Sequence, residues 1–112
     1  MLCGALGTPD DAIQYLQMTP SWAEHYRAWA ERLFRSVRAD VGYITGGLIH
    51  LWHGDLLHRR YQDRHREFRA FNFDPATDIA LDANGCWRWS SQKPEMHTYV
   101  ARYFEGRRED GV

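Results

Sequence analysis

Histidines are concentrated in one short stretch of this sequence. Four of the six, His50, His53, His58 and His65, lie within sixteen residues. Imidazole nitrogens suit zinc, manganese and similar divalent ions, so His50 and His53 are candidate metal ligands. Residues three apart in a regular strand face opposite sides, and both imidazoles reach one ion only if the chain bends near Gly54. The alternative is one hydrogen-bonded core histidine, with the others solvated on a helix surface.

The segment that follows His53 is rich in arginine. Five arginines against two carboxylates lie between residues 59 and 69, and Arg60 and Arg64 are its candidate anion ligands. Guanidinium groups match phosphate oxygens, so a basic helix beside a histidine pair is suited to a diphosphate. A salt-bridged surface that meets no ligand is the alternative. Nucleic acid is a poor candidate partner, because the net charge of the chain is −1.

Two helices are predicted before this stretch. Thr8 and Pro9 mark the start of the first, with Asp10 and Asp11 beside its positive end, and it is expected to reach about Met18. A second helix starts at Thr19-Pro20. Its apolar residues recur at spacings of three and four, which is one face of an α-helix: Trp22, Tyr26, Trp29, Leu33 and Val37.

The rest of the chain predicts mixed structure. Apolar residues broken by glycines over 41–52 favour a buried strand, and Asp55 is expected to cap a helix that runs to about Phe71. A hairpin over 78–90 turns at Asn84-Gly85 with a type I′ geometry, and Pro94 opens a last helix. The fold class is therefore α+β, mainly helical with about four helices, a central Gly-rich strand and a small β-hairpin. Residues 1–112 suffice for a single domain.

Several of these elements occur together in the order of a known family. The run from Gly42 to Gly54, GYITGGLIHLWHG, is followed by Arg60-Tyr61, by Arg64, and by Phe73-Asp74-Pro75 with Asp78. The pattern resembles the C-terminal part of family-2-like glycosyltransferases of the GT-A type from bacteria and bacteriophages. It covers about residues 42–110, and Gly7-Thr8-Pro9-Asp10-Asp11 resembles the acidic motif that opens the acceptor-side helix of such enzymes.

The resemblance implies a set of roles for these residues. His50 or His53 would contact a divalent metal, manganese or magnesium, or the diphosphate of a nucleotide sugar. Asp10 or Asp11 would act as the catalytic base or acceptor contact, and Arg60, Arg64 and Trp52 would bind substrate. A metal and guanidinium groups offset charge that grows on a leaving diphosphate, while a carboxylate takes the proton of the acceptor hydroxyl.

The sequence also departs from a complete enzyme. It contains neither a nucleotide-binding βαβ half nor a DxD motif, so the isolated chain is expected to be inactive and to need an N-terminal catalytic half as its partner. The alternative function is a non-enzymatic interaction domain that forms a homodimer. Cys3 and Cys86 make no disulfide framework, and no apolar run approaches the length of a membrane span. The chain is therefore expected to be cytoplasmic, with no membrane partner.

Overall fold

The computed structural model describes residues 1–49, 56–61 and 63–107. These residues form seven helical segments and one two-stranded antiparallel sheet. Four helices are seven residues or longer, and three are single turns of four residues, so the mainly helical α+β class with a small hairpin is confirmed. The helices are α1 Leu2–Ala5, α2 Pro9–Tyr15, α3 Pro20–Val37, α4 Leu56–Arg59, α5 Asp63–Arg69, α6 Pro75–Asp78 and α7 Pro94–Gly106, and the strands are β1 Ile79–Leu81 and β2 Trp87–Trp89.

Helix α3 is the scaffold of the N-terminal half and begins at Pro20, as predicted. Its small residues Ala23 and Ala30 are buried, and α1 packs against this face. Gly4 makes that approach possible, because a Cβ atom there would lie 2.8 Å from the Trp29 ring. Helix α2 ends at Tyr15, three residues before the predicted end, and Thr8 makes no side-chain capping hydrogen bond.

A cluster of aromatic rings joins α3 to the C-terminal half. Trp22 meets Phe73 edge-on with ring centroids 5.6 Å apart, and Phe68 of α5 lies 5.3 Å from the same Phe73 ring. Tyr99 of α7 packs 5.3 Å from Phe71. Such pairs add to the area that the rings bury, so this cluster fixes α5 against α7 and positions the groove described below.

The hairpin forms where it was predicted, but its turn differs. Ile79 pairs with Trp89 and Leu81 with Trp87. Within the described residues of this turn, only Gly85 has a positive φ, at 78°, whereas a type I′ turn needs two such residues. Asp82 accepts hydrogen bonds from the backbone N–H groups of Asn84 and Cys86, which stabilises the longer loop. The type I′ prediction was therefore wrong.

The Gly-rich strand was also predicted wrongly over the residues that are described. Residues 41–49 contain no strand and are exposed throughout. Their β-branched and aromatic composition favours a strand, but a strand also needs a partner for its backbone N–H and C=O groups. The remaining residues of the predicted strand, 50–52, lie outside the described part of the chain.

The predicted helix from Asp55 to Phe71 is broken. Helix α4 ends at Arg59, Arg60 has a φ of 45°, and α5 begins at Asp63. A non-glycine residue in the left-handed region cannot continue a right-handed helix. The break therefore turns α4 relative to α5 at the residue that the sequence marked as an anion ligand. Across the described helices, none is long and apolar enough to cross a membrane.

Candidate functional site

An open groove of about 700 Å³ lies between the α4–α5 junction and helix α7. The junction supplies one wall, with His58 and Arg60, and Glu67 of α5 extends it. Helix α7 supplies the other wall, with Tyr99 and Arg102 among its lining residues. Two guanidinium groups from separate elements thus border one concavity, together with the carboxylates of Glu67 and Glu95. Guanidinium groups form strong, charge-assisted hydrogen bonds to phosphate oxygens.

The Arg60 side chain is held by a carboxylate of the groove wall. Its Nη2 donates to Oε1 of Glu67, and the side chains are 44% and 35% exposed. In an unbroken helix the two backbone positions would lie about 10 Å apart along the axis, so the pair would need both side chains nearly fully extended. The left-handed backbone of Arg60 lies between α4 and α5, so the ion pair spans the break in the helix.

Tyr99 fixes the other oxygen of the same carboxylate. Its hydroxyl lies 3.2 Å from Oε2 of Glu67 and 3.2 Å from the backbone oxygen of Arg64, and it donates toward both. Burial, with the charge and hydrogen bond of Glu67 acting in the same direction, raises the pKa of Tyr99 to about 12. Tyr99 therefore remains a neutral donor across the physiological range and orients Glu67 toward Arg60.

Arg64 lies behind the groove and is fixed by aromatic residues. Its Nη1 donates to the Tyr103 hydroxyl at 2.8 Å, and its Cζ lies 4.7 Å from the centre of the Tyr61 ring. Its Nε donates to Nε2 of His65 at 3.2 Å. Burial, and then the positive charge of Arg64, lower the pKa of His65 below its ordinary value, so the neutral imidazole is the accepting form.

The predicted arginine ligands thus occupy different positions. Arg60 borders the groove directly, whereas Arg64 reaches it through Tyr103, whose ring is part of the lining. Arg59 contacts the same Tyr61 ring as Arg64, with its Cζ 4.8 Å from the ring centre. The guanidinium groups of Arg59 and Arg64 are therefore held in place by cation–π contacts beside the groove.

The predicted catalytic carboxylates lie elsewhere. Asp10 Oδ1 accepts from Arg27 at 2.8 Å and borders a second groove, between α3 and the turn that links α1 to α2. Asp11 is exposed on α2. Neither residue lines the groove that contains Arg60. The carboxylate that the structure does place beside Arg60 is Glu67.

His50, His53 and Trp52 lie outside the described residues. Within the part of the chain that the structure describes, no group of three or more His, Cys, Asp or Glu side chains could hold a metal ion. His58 lines the groove alone, so the described residues do not by themselves form the metal site that the resemblance implies. The role of His50 and His53 as metal ligands stays a prediction.

Sequence reasoning missed three residues of the groove, namely Glu67, Tyr99 and Arg102. Glu67 and Arg60 are seven residues apart, and the residues between them contain no Gly or Pro that would indicate a helix break. Tyr99 and Arg102 lie on the last helix, for which the sequence predicted only a start at Pro94. Nothing in that prediction indicated the hydroxyl partner of Tyr99 or the position of Arg102 beside Arg60.

Comparison of the chain with family models, with curated proteins and with solved structures gave no match.

Proposed function

We propose that this chain is a glycosyltransferase-like module whose groove contacts the diphosphate of a nucleotide sugar. The observation that carries the proposal is the pair Arg60 and Arg102, which border one concavity from separate elements. Guanidinium groups so placed offset the two or three negative charges of a diphosphate better than a single cation does. The ordered motifs between Gly42 and Asp78 supply the link to glycosyltransferases.

Each residue has a distinct part in this proposal. Arg60 and Arg102 contact phosphate oxygens, and Arg64 stabilises the wall through Tyr103. His50 and His53 would hold a divalent metal, which would neutralise charge on the diphosphate when bound. Asp10 and Asp11 remain the proposed acceptor-side carboxylates, and Trp52 a proposed substrate contact. The module needs an N-terminal half that carries a nucleotide site, and we place it in the cytoplasm.

Thermal unfolding with Mn²⁺ and uridine diphosphate tests the proposal. Each is added alone and then both together, because the metal and the diphosphate are expected to bind jointly. A ligand at about ten times its Kd stabilises the native state by about 1.4 kcal/mol, which raises the Tm of a chain this size by about 5 °C. No shift with both ligands present would contradict the proposed function.

A matched pair of variants separates the groove from general charge. Arg60→Asn removes the guanidinium and keeps a residue that tolerates the left-handed backbone. Arg38 at the end of α3 has a φ of 51°, so Arg38→Asn makes the same change of charge and conformation elsewhere. Arg60→Asn is expected to abolish the ligand-induced rise in Tm, and Arg38→Asn to retain it.

The exposed segment 41–49 favours a second candidate function, an interaction domain that forms a homodimer. Tyr43, Ile44, Leu48 and Ile49 are 87–95% exposed. Clustered apolar residues of this kind mark interaction surfaces. Together they offer on the order of 500 Å² per copy, less than the roughly 800 Å² of a standard interface, so this dimer would be transient.

Light scattering across a range of protein concentrations tests the second candidate. A dimer held by this segment would show a mass that rises with concentration, and Ile44→Lys with Leu48→Lys would keep the chain monomeric. Because both side chains are exposed, these substitutions should leave the Tm of the monomer unchanged. A mass that stays monomeric at all concentrations would rule this candidate out.

A further inference from the structure

We infer that Glu67 is a displaceable counterion of Arg60, which makes the groove selective for multiply charged anions. The inference rests on the proposed function and adds a specificity-determining residue to the same groove. Glu67 accepts a hydrogen bond from Nη2 of Arg60, a donor that a phosphate oxygen would also use. An incoming anion must therefore compete with a carboxylate that is already in place.

The exposure of the pair makes that competition feasible. Arg60 is 44% exposed and Glu67 is 35% exposed, so water screens their attraction and the pair adds little to stability. A singly charged anion that displaced Glu67 would put one negative charge in place of another at Arg60, so the exchange would gain no electrostatic free energy. A diphosphate brings more charge and also reaches Arg102 across the groove, which has no ion-pair partner among the described residues.

Tyr99 keeps the displaced carboxylate within the groove. Its hydroxyl donates to Oε2 of Glu67, the oxygen that does not contact Arg60. When an anion binds the Arg60 guanidinium, the Glu67 carboxylate remains nearby and repels the bound anion. Removing that charge while preserving the shape of the side chain should therefore strengthen the binding of diphosphate.

Calorimetric titration of the full chain with inorganic pyrophosphate and with acetate tests this inference. Glu67→Gln is expected to bind pyrophosphate about tenfold more tightly than the unmodified chain at low salt. Glu31→Gln is the matched control, because Glu31 forms an exposed ion pair with Arg35 on α3 and does not line this groove. It should bind pyrophosphate no more than about twofold more tightly. Acetate should bind the unmodified chain too weakly to measure.

The outcomes separate this inference from the proposed function. Equal gains in Glu67→Gln and Glu31→Gln, or weaker binding by Glu67→Gln, would overturn the counterion role while leaving the groove as a diphosphate site. Acetate binding as tightly as pyrophosphate would also overturn it. No binding of pyrophosphate by any of the three proteins, with or without Mg²⁺, would overturn both the inference and the proposed function.

Discussion

Lys93 Nζ lies 2.8 Å from Oδ2 of Asp78 and 2.9 Å from the backbone oxygen of Asn72. Asp78 is 1% exposed, and its Oδ2 also accepts from the backbone N–H of Asp74. This network ties the start of α7 to the end of α6 and to the loop after α5. Within the described residues Asp78, which belongs to the pattern singled out in the sequence, is thus a structural residue.

Asp78→Asn is expected to destabilise the fold by about 2–3 kcal/mol, because it leaves the Lys93 ammonium without a charged partner beside a buried amide. Chemical denaturation measures this change. Glu105→Gln, an exposed change of the same charge on α7, should cost less than about 0.5 kcal/mol. Equal effects in both variants would show that net charge, and not the buried pair, determines the stability.

The lowered pKa of His65 predicts that the folded chain loses stability in mild acid. Its pKa is lowered from 6.5 in the folded chain by burial and then by Arg64, so the unfolded chain binds a proton more readily. Stability is therefore fully present above the ordinary pKa and falls as the pH drops below it. Unfolding followed from about pH 7.5 to about pH 5 should show this decline, and His65→Gln should flatten it. An unchanged slope in His65→Gln would contradict the assignment.

Two glycines are expected to respond oppositely to alanine. Gly85 has a φ of +78°, so Gly85→Ala places a Cβ in the left-handed region and should destabilise the hairpin by about 1 kcal/mol. Gly106 ends α7, and a Cβ there meets nothing within 4 Å, so Gly106→Ala should stabilise the helix by about 0.5 kcal/mol. Thermal unfolding of both variants measures the difference. A stabilised Gly85→Ala would contradict the turn geometry.

His50 and His53 are the proposed ligands of a divalent metal. Replacing both His50 and His53 by alanine is expected to abolish any stabilisation by Mn²⁺, because neutral imidazole nitrogens would be the protein ligands. His25→Ala is the control, since His25 is exposed on α3 far along the sequence from the pair. Metal-dependent thermal shifts measure the effect. Stabilisation that survives in the double variant would move the metal to other ligands.

Patterns within single elements predicted much of this fold. The spacing of Trp22, Tyr26 and Trp29 gave the face of α3, and Asn84-Gly85 gave the position of the hairpin, because these signals depend on local geometry. Segment 41–49 failed because strand formation depends on a pairing partner that composition does not specify. The sequence predicted that the apolar residues of this segment are buried in a strand, whereas the structure shows them exposed.

The groove was predicted only in part for a related reason. Arg60 was selected for its charge and its place in a motif, and it does border the groove. Its ion pair with Glu67 spans a left-handed residue within a stretch whose sequence predicts one continuous helix. Arg60 is neither Gly nor Asn, the residues that usually adopt this conformation, so the sequence did not indicate the helix break.

Backbone amide NMR shifts during titration with pyrophosphate in the presence of Mg²⁺ test most directly whether the groove is a diphosphate site. The largest shifts are expected at the residues that border the groove, Arg60, Glu67, Tyr99 and Arg102, and the arginines of α3 are expected to shift little. Shifts centred on Arg32, Arg35 and Arg38, or the absence of any shift, would contradict the assignment of the groove as a diphosphate site.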